Sequence, residues 1–211
     1  MSAISPARAY DAVIFDLLTA LLDSWSVWNR AAGSAEAGLA WRRQYLALTY
    51  GAGVYRPYLD VVRDAERASG VAPGATDRLL ASWDELAPWP EADTVLQHLA
   101  ARVPLAIVTN CSVALGRVAA ARVGRPFDVV LTAEEAGYYK PRAEPYAAAL
   151  ARLGTTPERT LFVAGSAADV PGAHGVGMPV FWHNRLRLAP LERAEPEFEA
   201  TTLDPLRSLV P

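Results

Sequence analysis

Five short apolar segments recur along the chain, and each has the length of a β-strand. They are rich in valine and isoleucine and lie at 10–15, 104–108, 127–131, 160–164 and 178–182. Continuous apolar runs of about five residues are typical of strands buried on both faces of a parallel sheet. Helical patterns alternate with them at 92–102, 113–123, 143–153 and 167–176. This alternation predicts an α/β fold with a doubly wound, Rossmann-like parallel sheet.

The connection after the first strand is much longer than one crossover needs, and it has helical patterns of its own at 36–50, 57–69 and 76–87. We therefore predict a helical cap domain, residues 21–90, inserted after the first strand and lying over the carboxyl ends of the sheet. The core domain would comprise 1–20 and 91–211. The Pro-Trp-Pro sequence at 88–90 is the expected hinge, since prolines end helices. The tail is expected to add a short strand and a helix at the edge of the sheet.

The composition indicates a globular chain, with 52% hydrophobic and 20% charged residues. Its 20 basic and 23 acidic residues are mixed along the sequence, so we expect no nucleic-acid partner. No apolar run reaches about 18 residues, so no membrane span is predicted. The single cysteine, Cys111, cannot form an internal disulfide, which favours a cytoplasmic location, and we expect its thiol to be buried and unreactive.

Polar residues follow several of the predicted strands, and this placement is the main functional signal. They are Asp16, the pair Thr109–Asn110, Lys140, and Ser166 with Asp169. Taken alone, each is more often a helix cap, a turn residue or a surface charge. The carboxyl ends of parallel strands meet at one edge of a sheet, however, so these groups are expected to converge at one crevice. The sequence therefore predicts a functional site there.

Four segments in order along the chain resemble the four motifs of the haloacid dehalogenase superfamily. They are Phe15–Asp23 (FDLLTALLD), 107–110 (IVTN), 139–146 (YKPRAEPY) and 161–169 (LFVAGSAAD). Three further segments are similar to the L-2-haloacid dehalogenase (type II) branch: 39–45 (LAWRRQY), 86–90 (LAPWP) and 181–185 (FWHNR). The resemblance covers nearly the whole chain, and it implies hydrolysis of a carbon–halogen bond in a short L-2-haloalkanoic acid through an aspartyl ester.

The resemblance also implies roles for individual residues. Asp16 would be the nucleophile, Lys140 would keep it ionised, and Asp169 would hold Lys140 and orient the hydrolytic water. Arg42, on the cap, and Asn110 would stabilise the departing halide. The expected substrate-binding groups are completed by the backbone amides of Leu17 and Leu18, by Thr109 for the substrate carboxylate, and by Tyr146 and Ser166.

The positions at which magnesium-dependent phosphatases of the superfamily carry acidic residues are Leu18 and Gly165 here. Because Mg²⁺ needs several hard oxygen ligands, we expect neither a metal nor another cofactor. Relative to the dehalogenase branch, Leu18 replaces an aromatic residue and Ala168 replaces a tryptophan. Thr19–Ala20 replaces Gly-Thr, and Ala164 and Ser166 replace a serine and an asparagine. These differences are expected to enlarge or reshape the pocket.

Three alternatives stay open at this point. One is an enzyme that forms the same aspartyl ester by attacking another electrophilic carbon. A second is a Mg²⁺-dependent small-molecule phosphatase of the same superfamily. A third is a non-catalytic relative that keeps the fold for binding. In each case the expected partner is a small molecule, and the resemblance also allows a homodimer.

Overall fold

A six-stranded parallel sheet forms the centre of the computed structural model, which describes residues 10–191 and 195–210. The strand order is β3-β2-β1-β4-β5-β6, and every neighbouring pair is parallel. The strands are β1 (Ala12–Phe15), β2 (Leu105–Thr109), β3 (Val129–Thr132), β4 (Thr160–Ala164), β5 (Val180–His183) and β6 (Phe198–Ala200). The predicted doubly wound, Rossmann-like sheet is therefore confirmed.

β1 lies at the centre of the sheet and sets the position of the site. Phe15, its last residue, pairs with Ile107 of β2 and with Val163 of β4. The backbone N–H of Asp16 continues this pairing by donating to the Val163 carbonyl over 2.9 Å. The carboxyl ends of β1, β2 and β4 are thus level with one another, so the residues after them meet at one edge of the sheet.

Helices cover both faces of the sheet. They are α5 (Ala92–Ala100), α6 (Val113–Arg122), α7 (Ala133–Ala136), α8 (Ala143–Leu153), α9 (Asp169–His174) and α10 (Leu206–Leu209). One buried cluster joins Ile14 and Phe162 to α8 and α9, and the other joins Phe15 and Val163 to α5 and the cap helices. β1, β2, β4 and β5 are fully buried because each has a hydrophobic layer on either side, and β3 is buried except at Val130. The predicted tail strand and helix are β6 and α10.

The inserted segment after β1 consists of α1 (Ser24–Ala32), α2 (Ala35–Gly51), α3 (Tyr58–Ser69), α4 (Ala75–Ala81) and a 3₁₀ turn at Trp83–Glu85. The pattern did not predict α1, which ends at Gly33, a residue in the left-handed region with φ 91°. The helix predicted at 76–87 was too long. α4 ends at Ala81, because the chain leaves α-helical geometry at Ser82, and Pro88 then disfavours helical geometry at the preceding Ala87.

The two connections between the inserted helices and the sheet run side by side. The N–H of Asp23 donates to the Ala87 carbonyl over 2.8 Å, and the N–H of Trp89 donates to the Leu21 carbonyl over 3.0 Å. This pairing lies at the predicted hinge, while the domain boundaries at 20/21 and 90/91 stay a prediction. Within the described residues, no helix is both long enough and apolar enough to cross a membrane.

Candidate active site

Asp16 lies directly after β1, with its carboxylate buried at the edge of the sheet. Its Oδ2 accepts hydrogen bonds from the Thr19 N–H at 2.9 Å, the Thr19 hydroxyl at 2.8 Å and the Ala20 N–H at 3.2 Å. Its Oδ1 accepts one from the Lys140 ammonium at 2.9 Å. The two oxygens therefore differ in their hydrogen bonding: the turn after β1 donates all three of its hydrogen bonds to Oδ2, whereas Oδ1 keeps a lone pair that accepts no hydrogen bond from the described residues.

The Lys140 ammonium lies between two buried carboxylates. Its Nζ is 2.9 Å from Asp16 Oδ1 and 3.1 Å from Asp169 Oδ1, and all three side chains are less than 10% exposed. Asn110 fixes the backbone of Lys140, because its Nδ2 donates to the Lys140 carbonyl over 2.9 Å and its Oδ1 accepts from the Lys140 N–H over 2.7 Å. The lysine is thus positioned from both its backbone and its charged end.

The environments of the two carboxylates push their pKa values apart. Burial alone would raise the pKa of Asp16, but the Lys140 charge and the hydrogen bonds from Lys140 and Thr19 outweigh it and hold that pKa below its usual value. Burial raises the pKa of Asp169, and the Asp16 charge adds to this, against the opposing effect of Lys140. Burial opposes the charge on Lys140, yet the two carboxylates raise its pKa overall. Two neighbouring carboxyl groups with pKa values shifted in opposite directions are typical of a site in which one group stays ionised and the other exchanges a proton.

Asp169 begins α9, and the residues around it hold it in place. The Tyr146 hydroxyl donates to Asp169 Oδ1 over 3.3 Å, and its ring packs edge-on against Phe162 at 5.1 Å. The Ser166 side chain and Tyr50 of α2 line the pocket beside Asp169. Cap and core therefore both contribute polar groups on this side of the site.

Arg42 brings a buried positive charge from α2. It is 6% exposed, and its guanidinium lies 4.1 Å from the centre of the Trp25 ring and 4.8 Å from that of Trp28. One of its nitrogens donates to the Ser24 hydroxyl over 2.9 Å, while within the described part of the chain its Nε has no partner. Burial lowers the pKa of Arg42 to about 10, so the group stays charged at neutral pH. A buried cation with unused donors favours the binding of an anion.

These groups share one pocket of about 310 Å³ between the cap helices and the sheet. Helix α2 supplies one wall at helical spacing, through Leu39, Arg42, Arg43, Leu46 and Tyr50. The rest of the lining comes from the turn after β1, the start of α1 and the ends of the other strands: Asp16, Leu18, Thr19, Trp25, Asn110, Lys140, Ser166, Ala167, Ala168, Asp169, Leu188, Ala189 and Leu191. The pocket thus combines several charged groups with many apolar ones.

Comparison with known families agrees with this geometry. The chain matches the haloacid dehalogenase-like hydrolase family over residues 10–177, which is most of its length. The chain belongs to this family.

This haloacid dehalogenase-like hydrolase is 30% identical to (S)-2-haloacid dehalogenase 4A of Burkholderia cepacia over 191 residues, which is 82% of this chain and 83% of the relative. A crystal structure of an L-2-haloacid dehalogenase matches with a TM-score of 0.85 and 28% identity, covering 96% of this chain and 99% of that one. The L-2-haloacid dehalogenase from Xanthobacter autotrophicus, solved with chloropropionic acid covalently bound, matches with a TM-score of 0.82 and 26% identity, covering 95% and 98%. The predicted superfamily and the resemblance to its L-2-haloacid dehalogenase branch are confirmed.

The structure brings most of the predicted site residues of this hydrolase to the pocket. Asp16, Lys140 and Asp169 meet there, together with Leu18, Arg42, Asn110 and Ser166. Three predicted substrate-binding residues have no place in its lining. Leu17 and Thr109 are fully buried, and Tyr146, also fully buried, reaches the site only through Asp169.

Sequence reasoning missed several residues that this hydrolase places at the site. Thr19 was noted only as a departure from the branch pattern, yet it holds Asp16. Gly165 packs so closely on Thr19 and Ala20 that a side chain would collide with them. Tyr50 lies on the same face of α2 as Arg42, and this spacing of 39, 42, 46 and 50 is a signal that could have identified it.

Across residues 10–191 and 195–210 no group of three or more His, Cys, Asp or Glu side chains has an arrangement that could hold a metal ion. In this hydrolase the space between Asp16 and Asp169 is taken by the Lys140 ammonium. Cys111 is fully buried, as predicted, and burial raises the pKa of its thiol.

Proposed function

We propose that this protein hydrolyses the carbon–halogen bond of an L-2-haloalkanoic acid through an ester on Asp16. The observation that carries the proposal is the Lys140 ammonium held between Asp16 and Asp169 in a pocket that also contains the buried Arg42. This arrangement supplies an ionised nucleophile, a second carboxylate for the next step and a cation for the leaving anion. The relatives named (S)-2-haloacid dehalogenase support the same reaction.

In the first step, Oδ1 of Asp16 attacks the carbon that carries the halogen. A carbon–oxygen bond forms as the carbon–halogen bond breaks, the halide leaves with the bonding electrons, and the carbon is inverted. Oδ1 is the better nucleophile because Oδ2 accepts three hydrogen bonds from Thr19 and Ala20. Lys140 keeps the carboxylate ionised and orients it, so the attack needs no proton transfer.

Arg42 stabilises the anionic groups of the substrate. Arg42, whose charge is buried, lines the pocket that also contains Asp16. As the halide departs, the guanidinium stabilises its growing negative charge, and this stabilisation is strong because the surroundings contain little water. Asn110 lines the same region, but the structure gives its amide a second task, since it also holds the Lys140 backbone.

In the second step, water attacks the carbonyl carbon of the Asp16 ester. Asp169 accepts a proton from this water as the new carbon–oxygen bond forms, and it returns the proton to the substrate oxygen as the bond between that oxygen and the Asp16 carbonyl carbon breaks. The new Asp16 carboxyl group then releases its proton to solvent. The inverted 2-hydroxy acid leaves and the Asp16 carboxylate is restored. The raised pKa of Asp169 suits it to this exchange, and Ser166 and Tyr50 lie beside it to hold the water.

A magnesium-dependent phosphatase has less support. The positions that carry metal-binding acids in such enzymes are Leu18, an apolar wall of the pocket, and Gly165, where contact with Thr19 and Ala20 leaves no room for a side chain. A purely binding role is also less supported, because a buried group of one ammonium and two carboxylates costs stability that chemistry at the site would explain.

The deciding experiment measures halide release from L- and D-2-chloropropionate, with and without EDTA. We expect release from the L enantiomer alone, unaffected by EDTA and abolished by Asp16→Asn. Asp11→Asn is the matched control, since Asp11 is an exposed carboxylate outside the pocket. Mass spectrometry of quenched enzyme should find the substrate carbon chain on Asp16. Phosphate-ester cleavage that needs magnesium, without halide release, would contradict the proposal.

Two further parts of the proposal concern the setting of the reaction. We place it in the cytosol, on the ground that the chain has a single cysteine, which is buried. A homodimer also stays a prediction, and light scattering of the purified protein at several concentrations would test it.

A further inference from the structure

One part of the pocket lining is apolar and takes no part in the proposed reaction. Five leucines from three separate parts of the chain face it: Leu18, Leu39, Leu46, Leu188 and Leu191. The charged groups that the reaction requires account for only part of the lining. The leucines are available for a portion of the substrate that takes no part in bond breaking.

The volume leads to the same conclusion. The pocket measures about 310 Å³. An apolar cavity of about 150 Å³ binds benzene, so a pocket roughly twice that size has room for about twelve non-hydrogen atoms, about six more than 2-chloropropionate contains. Since some water stays around the charged groups, we count on room for about four to six additional carbons.

We infer that the substrates are L-2-haloalkanoic acids whose alkyl chain is about four to six carbons longer than that of propionate. This inference rests on the proposed function, since it assigns the reacting end to Asp16 and Arg42. With the carboxylate and halogen held there, the alkyl chain extends from the reacting carbon over the leucines. The small Ala168, which is 4% exposed and stands directly before Asp169, leaves the space open at that point.

The expected effect follows from the transfer of methylene groups out of water. Each buried methylene increases kcat/KM about fourfold. From 2-bromopropionate upward, kcat/KM for the L acids should therefore rise with each added carbon, by about 250-fold in total after four carbons and about 4,000-fold after six. It should level off when the pocket is full, near seven to nine carbons.

Two variants test whether this pocket is the cause. Ala168→Trp fills it, and it should return the optimum to the shortest acids. Leu191→Gln removes apolar surface from a side chain that is 47% exposed, so it should leave folding intact and weaken only the long acids. Ala151→Trp is the matched control, because Ala151 is exposed on α8 and away from the pocket.

The experiment is halide release across the L-2-bromoalkanoates of three to ten carbons, with calorimetric binding of propionate and octanoate as a readout without turnover. A rise with length that Ala168→Trp abolishes and Ala151→Trp preserves supports the inference. Turnover that is highest for propionate would overturn it and leave the proposed function standing. Tight octanoate binding without any halide release would overturn the proposed function while keeping the apolar pocket. If neither halide release nor octanoate binding is found, the proposed function and the inference about chain length are both overturned.

Discussion

The buried lysine gives the sharpest prediction. Lys140→Met removes the ammonium from between Asp16 and Asp169 and leaves an uncharged chain of similar length. The three side chains are 2%, 9% and 7% exposed, so water can replace the charge of the ammonium only in part. Removing one partner of a buried charge group costs about 3–5 kcal/mol. We expect the free energy of unfolding at neutral pH to fall by about that amount, and ester formation on Asp16 to be lost.

The pH dependence of this loss has a definite sign. Without Lys140, the pKa of the paired carboxylates rises above its value in the unfolded chain, because burial and mutual repulsion then outweigh the remaining hydrogen bonds from Thr19. The variant is therefore destabilised above that pKa and regains stability as the pH falls and a proton binds. Urea unfolding followed by tryptophan fluorescence at about pH 7 and about pH 5 should find a smaller difference from wild type at the lower pH.

Arg159→Met provides the contrast. Arg159 pairs with Asp11 at the surface, where both side chains are about half exposed, so removal of this cation should change stability far less. A loss below about 1 kcal/mol for Lys140→Met, or a loss that is the same at both pH values, would refute the reasoning that burial makes this lysine essential.

Three further predictions concern the reaction itself. Asp169→Asn should slow hydrolysis of the ester by about 10²–10⁴-fold, so that rapid mixing finds a burst of about one halide per protein and mass spectrometry finds modified Asp16. In the wild type, this ester should accumulate as the pH falls. Asp169, whose pKa is raised, is protonated first and hydrolysis of the ester stops, whereas Asp16, whose pKa is lowered, stays ionised and still forms the ester. The amount of ester in acid-quenched samples across the pH range tests this prediction. Gly165→Ala should press on Thr19 and Ala20, displace Oδ2 of Asp16 and slow single-turnover halide release, at a cost of about 1–3 kcal/mol in unfolding free energy.

Each of these has a control or an outcome that contradicts it. Gly51→Ala introduces the same methyl group where nothing lies within 4 Å, and it should leave halide release unchanged. Steady turnover of Asp169→Asn without a burst would show that Asp169 does not act in hydrolysis. An ester population that declines in step with turnover on acidification would contradict the order of the two pKa values.

The sequence predicted that Asp16, Asn110 and Ser166 line one crevice because strand geometry determines it. Lys140 is different, because it follows α7 and is held there by hydrogen bonds between its backbone and Asn110. Apolar runs identify the strands, a parallel sheet aligns their carboxyl ends, and the residues just beyond must converge. The same reasoning failed for Thr109. The predicted strand ended at 108, whereas β2 includes Thr109, and inclusion in the strand turns that side chain into the interior.

Other parts of the site could not be predicted from patterns. The hydrogen bond from Thr19 to Asp16 depends on the backbone path of the turn after β1, and the periodicity of hydrophobic residues does not predict that path. The second contact of Asn110, with the Lys140 backbone, joins residues far apart in sequence. Helix α1 has two tryptophans and several small residues and was not recognised, although Trp28 packs tightly on Trp41 at 4.5 Å. Tertiary packing decided these features.

Lys140 is the only lysine in the sequence, and it is 1% exposed. An amine-directed reagent can therefore modify a lysine side chain of this protein only after the ammonium has left its two carboxylates. Reductive methylation followed by mass spectrometry would measure how often the site opens while the rest of the fold stays intact. The protein thus has a built-in reporter of local opening at a place where such opening would interrupt catalysis.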